Sequence, residues 1–144
     1  MTTDPASGRL ERLIDANLNR LREGLRVLED LQRYLYDNRE LSRRFKELRH
    51  ALQPAYDPSR LRHRDIRNDV LKQSSESEMK RESLEALTIA NFSRAQESAR
   101  VLEEVFKLRD VKLSALFKKI RYELYDLEKS LLGESAATRS SNSR

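Results

Sequence analysis

The chain of 144 residues contains no cysteine and no tryptophan, and only three glycines and three prolines. Without cysteine there is neither a disulfide framework nor a thiolate metal site. No apolar run approaches the ~18 residues that argue for a membrane span. The N-terminus has no apolar signal-peptide core. A cytoplasmic protein with no membrane partner is therefore expected. Blocks of like charge are also missing: residues 1–53 hold 11 basic and 9 acidic side chains, and 54–78 hold five of each. The net charge of +5 and pI of about 9.6 thus give no reason to expect a nucleic-acid partner. They suit an anionic small substrate. There is no G-x-x-x-x-G-K-[ST] phosphate loop and no G-x-G-x-x-G turn. His50 and His63 are not at zinc-ligand spacing, and no Ser–His–Asp set is evident.

What the chain does contain is a repeat. Ala16–Asp30, ANLNRLREGLRVLED, returns as Ala90–Glu104, ANFSRAQESARVLEE, with eight of fifteen positions identical. Downstream, LSRRFKELRHAL (Leu41–Leu52) matches LSALFKKIRYEL (Leu113–Leu124). A fixed-period repeat of polar as well as apolar residues indicates duplication, with two half-sites facing each other across a pseudo-twofold axis.

Charged residues at 37% beside 38% hydrophobic residues read as long amphipathic helices. After a flexible leader (1–7), the first helix is predicted from Gly8 to Tyr36, with Leu10, Ile14, Leu18, Leu21, Leu25, Leu28, Leu31 and Leu35 as its apolar stripe. Asp37-x-x-Glu40 forms a capping box for a helix over Arg39–Leu52, with Leu41, Phe45, Leu48 and Leu52 inward and Pro54 as its stop. Ser75-x-x-Glu78 is a second capping box for a helix to Leu108, with Leu84, Leu87, Phe92, Ala95, Ala99, Leu102 and Val105 inward. Asp110 caps a fourth helix over Val111–Leu132, ended by Gly133. The expectation is one all-α domain over 8–133: repeat one (8–53), an irregular crossover (54–78) and repeat two (79–133), forming an antiparallel four-helix bundle, with a disordered tail at 134–144. A crossover of this length inside a compact domain is uncommon and is often functional.

Each repeat reads A-N-x-x-R-x-x-E-x-x-R-V-L-E-[DE]. On a helical wheel Asn17 and Asn91 fall within the Leu stripe, as do Gly24 and Ser98. Arg20 and Arg94 sit on its shoulder, and Arg26 and Arg100 point away. An Asn in an apolar stripe must be hydrogen-bonded or it costs roughly 1–3 kcal/mol. Two readings are open: a pocket lined by Asn and Arg, or a structural contact across the pseudo-twofold with Gly24 permitting close approach. Glu23, Arg26, Glu97 and Arg100 read as i,i+3 surface pairs. Tyr34, Tyr36, Tyr56, Tyr122 and Tyr125 read as helix-interface residues. Without a phosphate loop, Arg and Lys side chains must hold any phosphate. Mg²⁺ would come through carboxylates and the nucleotide, with Asp65 and Asp69 the natural candidates.

IDANLNRLREGLRVLEDLQRY, the crossover RDIRNDV, ANFSRAQESARVLEEVFKL and FKKIRYELYDLEKSL together resemble one family over roughly residues 10–132. It is the helical domain fused to the N-terminus of cyanobacterial-type thiamine-phosphate synthases, described as a hydroxymethylpyrimidine phosphate kinase unrelated in sequence to ribokinase-like enzymes. The resemblance implies ATP- and Mg²⁺-dependent phosphorylation of 4-amino-5-hydroxymethyl-2-methylpyrimidine phosphate to the diphosphate. Two departures matter. Leu71 stands where a Gly commonly follows the Asp-Val of the crossover. The (β/α)₈ synthase part, about 200 further residues, is not among these 144, so the chain is not expected to join pyrimidine to thiazole. On this reading Asn17 and Asn91 bind the ring, Arg20 and Arg94 hold substrate phosphate, and Arg64 and Arg67 hold phosphates in the crossover. Asp65 or Asp69 holds Mg²⁺ or orients the attacking oxygen. The alternative is a non-catalytic dimerisation or regulatory module that binds thiamine-phosphate synthase. A mutase-type helical enzyme is more distant, and a homodimer is compatible with either main reading.

Overall fold

A computed structural model describes residues 5–73 and 82–133. Helix α1 (Pro5–Asp30) ends in a wider π-turn, Leu31–Leu35, followed by α2 (Arg39–His50), two 3-10 turns (Gln53–Ala55 and Pro58–His63), α3 (Leu84–Phe106) and α4 (Val111–Glu128), which closes on a second π-turn, Lys129–Gly133. No strand occurs among the described residues, and the fold is all-α.

The helices form where the apolar periodicity places them, and their ends are set by local chemistry. The Asn38 side chain, not Asp37, caps α2 by accepting from the Leu41 N–H at 3.0 Å. Asp37 lies outside the helix with φ of 48°, a left-handed conformation that Asp tolerates better than most residues. It reverses the chain after the Asn38 N–H has bonded the Gln32 carbonyl at 2.8 Å. Asp110 caps α4 as expected, accepting from Lys112 and Leu113. α3 starts at Leu84 under a Ser83 cap that accepts from Ala86. The box at Ser75–Glu78 lies outside the described residues, as do residues 1–4 and the tail beyond Gly133. α1 begins at Pro5, inside the segment read as a leader.

Helices α1 and α3 pack antiparallel. Glu11, near the start of α1, meets Arg109 just past the end of α3, while Gln32, beyond the end of α1, shares a cavity with Glu85 and Thr88 at the start of α3. Between them Gly24 permits close approach, since a Cβ there would stand 3.4 Å from the Asn91 carbonyl. The other principal contacts join α1 to α2 and α3 to α4, so the helices follow the order α2–α1–α3–α4. Phe45 meets Phe92 at 5.8 Å, and Phe106 stacks on Phe117 at 5.5 Å. The core draws on all four helices, from Ile14, Leu18, Leu21, Leu25 and Leu28 to Phe117, Ile120, Leu124 and Leu127. Leu35 and Leu84, placed inward by periodicity, are about half exposed, because the π-turn rotates the end of α1 outward and Leu84 occupies the first turn of α3.

The duplication extends to a buried ion pair in each half. Arg49 Nε donates to Glu29 at 3.0 Å, and Arg121 Nε donates to Glu103 at 2.9 Å. Glu29 and Glu103 are the same position of the two repeats, and so are Arg49 and Arg121.

Candidate functional site

The crossover lies along one flank of α1. Arg60 bonds Glu11 at 2.6 Å, Arg64 forms a two-pronged pair with Asp15 at 2.8 and 2.9 Å, and Arg12 donates to the Asp65 carbonyl at 2.7 Å. Arg22 lies over the Tyr56 ring at 5.5 Å. These partners sit on successive turns of α1 and fix the crossover to its N-terminal half. The Asp15 hydrogen bonds raise the Arg64 pKa above its ordinary value. Arg64, expected to hold phosphate, is thus committed to a carboxylate 49 residues away.

Beyond Arg64 the chain makes two tight turns. The Asp65 carboxylate accepts from the Asn68 N–H at 3.1 Å and from its side-chain amide at 2.7 Å, and Asp69 accepts from the Leu71 N–H at 3.0 Å. These are Asx-type turns. They hold two carboxylates four residues apart in one loop, and the Asn68 hydrogen bonds lower the Asp65 pKa below its ordinary value. Arg67 is exposed, and its guanidinium has no partner among the described residues. No group of three or more His, Asp or Glu side chains able to hold a metal occurs among the described residues. Two carboxylates with open lone pairs still match the usual Mg²⁺ mode, in which one or two carboxylates act together with substrate phosphates.

Asn17 and Asn91 are buried, 6% and 8% exposed. Each amide nitrogen donates to the carbonyl one turn back, Asn17 to Leu13 at 3.0 Å and Asn91 to Leu87 at 2.9 Å. Asn91 faces Gly24, so the pseudo-twofold places Asn17 opposite Ser98. Seven residues then separate the two Asn positions along the helices, roughly 10 Å. They do not converge on one ring.

A different part of the repeat faces outward. Ala16, Arg20, Glu23 and Val27, at i, i+4, i+7 and i+11, form an exposed stripe on α1 that is half-buried at Val27; Ala90, Arg94, Glu97 and Val101 form its counterpart on α3. All four residue types are the same in both copies, whereas several core positions have diverged: Leu18 corresponds to Phe92, Leu21 to Ala95 and Leu25 to Ala99. Core packing does not require identity on the solvent side. Arg20 and Arg94 are exposed and have no ion pair among the described residues, and this stripe adjoins the crossover along the Glu23–Arg64 side of α1. Among the described residues the expected i,i+3 pairs Glu23–Arg26 and Glu97–Arg100 do not form; each arginine turns instead toward a carboxylate further along its helix. Arg26 pairs with Asp30, and Arg100 pairs with Glu103 and Glu104. The tyrosines also depart from expectation: Tyr34, Tyr36, Tyr122 and Tyr125 are 42–63% exposed rather than set in helix interfaces.

The model of the ThiD2 family matches residues 12–130, and the chain belongs to that family. The thiamine-phosphate synthase of Synechocystis sp. is 44% identical over 131 residues, covering 90% of this chain and 38% of its own length. The thiamine-phosphate synthase of Thermosynechococcus vestitus is 42% identical over 125 residues, covering 85% and 35%. That of Nostoc punctiforme is 37% identical over 123 residues, again covering 85% and 35%. The chain spans little more than a third of the length of these relatives, and it links to thiamine biosynthesis through them. No solved structure matches it. Among the described residues no helix is long and apolar enough to cross a membrane.

Proposed function

We propose that this member of the ThiD2 family transfers the γ-phosphoryl group of ATP to 4-amino-5-hydroxymethyl-2-methylpyrimidine phosphate in the cytoplasm, forming the diphosphate and ADP. The nucleophile in this reaction is a phosphate oxygen, which carries about −1.5 to −2 of charge at neutral pH. It needs no strong general base. What opposes the reaction is repulsion between two polyanions. Phosphoryl transfer is then mainly positioning and charge neutralisation, and guanidinium groups do both.

The observation that carries the reading is the pair of identical arginines, Arg20 and Arg94, which have no ion pair among the described residues and lie on one outward face beside the crossover. Each half offers one guanidinium to the phosphates, and Arg67 of the crossover, without a side-chain partner among the described residues, offers a third. Asp65 and Asp69 would hold Mg²⁺, which when bound neutralises phosphate charge. Arg64 serves as a positioning residue: its pair with Asp15 anchors the loop that carries both carboxylates. Asn17 and Asn91, committed to their own helices, fit a supporting role beside the Arg face.

Replacing Arg20 or Arg94 with Ala removes no protein–protein ion pair, so the melting temperature should stay unchanged. Loss of one charge-assisted phosphate contact, about 1.5–3 kcal/mol, should lower kcat/KM roughly 10- to 100-fold. Full activity in the folded Arg20→Ala, Arg94→Ala double variant would remove this face from the mechanism.

One set of observations favours the non-catalytic module. The crossover exposes Leu61, Ile66, Val70 and Leu71 at 62–94%, an apolar set that a partner such as thiamine-phosphate synthase or a second copy would cover. That reading predicts co-elution with the synthase and no effect of the arginine substitutions on any phosphoryl transfer.

A further inference from the structure

The two halves of the molecule are unequal at one place. In the first half, on the flank of α1 that carries Asn19, Arg22, Glu23 and Arg26, the crossover lays the Tyr56 ring against Arg22 at 5.5 Å. The repeat maps those four positions onto Ser93, Gln96, Glu97 and Arg100 of α3. There no described element inserts a ring. Instead those four residues and Tyr125 of α4 line an open cavity of about 290 Å³. Tyr125 stands at the repeat position of Gln53, so the second half has gained an aromatic wall where the first half has an amide.

Three features of this cavity bear on what it holds. The Tyr125 ring is 42% exposed and steadied by Arg121, whose guanidinium lies 5.7 Å from its centre and is itself bound to Glu103. A braced aromatic face is a stacking platform. The Gln96 Nε2 is buried without a hydrogen-bond partner, although buried polar groups are nearly always paired. Gln96 lines the cavity, and a half-turn of its amide exchanges the donor and acceptor ends, so it turns either one donor or one acceptor toward the edge of an aminated heterocycle. Glu97 adds an acceptor for an exocyclic amine, while Arg100 at the rim is held by Glu103 and Glu104.

We infer that the cavity between α3 and α4, walled by Tyr125 and Gln96, binds the planar ring of an amino-substituted nitrogen heterocycle, in the place that Tyr56 occupies in the first half. Two rings share this chemistry: adenine of a nucleotide and the aminopyrimidine. That either is a substrate rests on the kinase reading; the site itself does not. Arg94, without an ion pair among the described residues, is less than one turn from this cavity on the same helix, on the side a phosphate carried by the ring would take.

Calorimetric titration of the full chain with adenosine monophosphate, and separately with 4-amino-5-hydroxymethyl-2-methylpyrimidine, tests this. One of the two rings is expected to bind, and Gln96→Leu and Tyr125→Leu should each weaken it about 10-fold or more. Ser93→Phe, which fills the cavity from within as Tyr56 does in the first half, should abolish it while circular dichroism stays unchanged. Binding of neither ring to the unmodified chain, or equal affinity in all three variants, overturns the inference. A chain that turns over substrate with unchanged affinity in the variants keeps the kinase reading and loses this site. A chain without kinase activity whose ring binding fails in the variants keeps this site and loses the kinase reading.

Discussion

Removing Arg49 or Arg121 should destabilise the protein far more than removing any surface arginine. The carboxylate side chains of Glu29 and Glu103 are 3% and 5% exposed, and their arginine partners 19% and 11%. Breaking a buried pair strands one charge in a poor solvent at a cost of about 3–5 kcal/mol. Partial exposure of Arg49 lets water reach Glu29 once the guanidinium is gone, so about 2–3 kcal/mol is expected for Arg49→Ala. Arg121→Ala should cost about the same: its guanidinium is more deeply buried, but Arg100 still reaches Glu103 at 3.3 Å and keeps that carboxylate from being left unpaired. For a domain of this size each kcal/mol lowers the melting temperature by about 3–5 °C. Replacing both partners, as in Glu29→Met with Arg49→Met, should recover much of the loss, since no charge is then left buried. Arg43→Ala, whose partners Glu40 and Glu47 lie in water, should leave the transition unchanged. The assay is urea unfolding followed by far-ultraviolet circular dichroism. A loss under about 1 kcal/mol for Arg49→Ala, the range of an exposed pair, would refute the reasoning. So would a double Met variant no more stable than Arg49→Ala.

Other outcomes follow from single positions. Asn38→Ala and Asp110→Ala each remove a helix cap and should cost about 1 kcal/mol in the same unfolding assay. Gly24→Ala should be neutral or stabilising by up to about 1 kcal/mol, because the new methyl meets Asn91 and Ala95 at ordinary contact distance; Gly24→Leu should push α1 from α3 and lower the melting temperature sharply. Asp65 has a depressed pKa in the folded protein through its bonds to Asn68. Its contribution to the turn is therefore complete above the ordinary carboxylate pKa and is lost as pH falls through the lower folded value. Amide resonances of Asn68 should shift in that acid window while those of α3 do not, and simultaneous change across both would contradict a local turn.

The repeat made the helices legible. Apolar spacing placed three of them within a few residues and the end of α3 as well, though α3 starts at Leu84 under Ser83 and not at the Ser75–Glu78 box, and Asp110 announced its cap because a single acidic residue precedes an amphipathic run. Where the chain turns, spacing is a weaker guide. Asp37 and Asn38 are both good caps by type, and only the backbone reversal at Asp37 decides between them. The site was half legible. The motif singled out Arg20 and Arg94, and the structure leaves them exposed and unpaired, but periodicity cannot tell that Arg64 reaches Asp15 on another element. Nor can it tell that Asn17 and Asn91 each satisfy a carbonyl in their own helix. The outward stripe was visible in the sequence as identity between copies at positions that do not face the core, a signal available from the repeat alone once the core positions are known. The α3–α4 cavity had no such signal, because it arises from what the first half covers and the second does not.

The most direct test of the account is to incubate the chain with ATP, Mg²⁺ and 4-amino-5-hydroxymethyl-2-methylpyrimidine phosphate and identify the products by mass. The account predicts ADP and the pyrimidine diphosphate in equal amounts, with loss of product in the Arg20→Ala, Arg94→Ala double variant. Absence of the diphosphate, with no shift in melting temperature on adding either substrate, would contradict it.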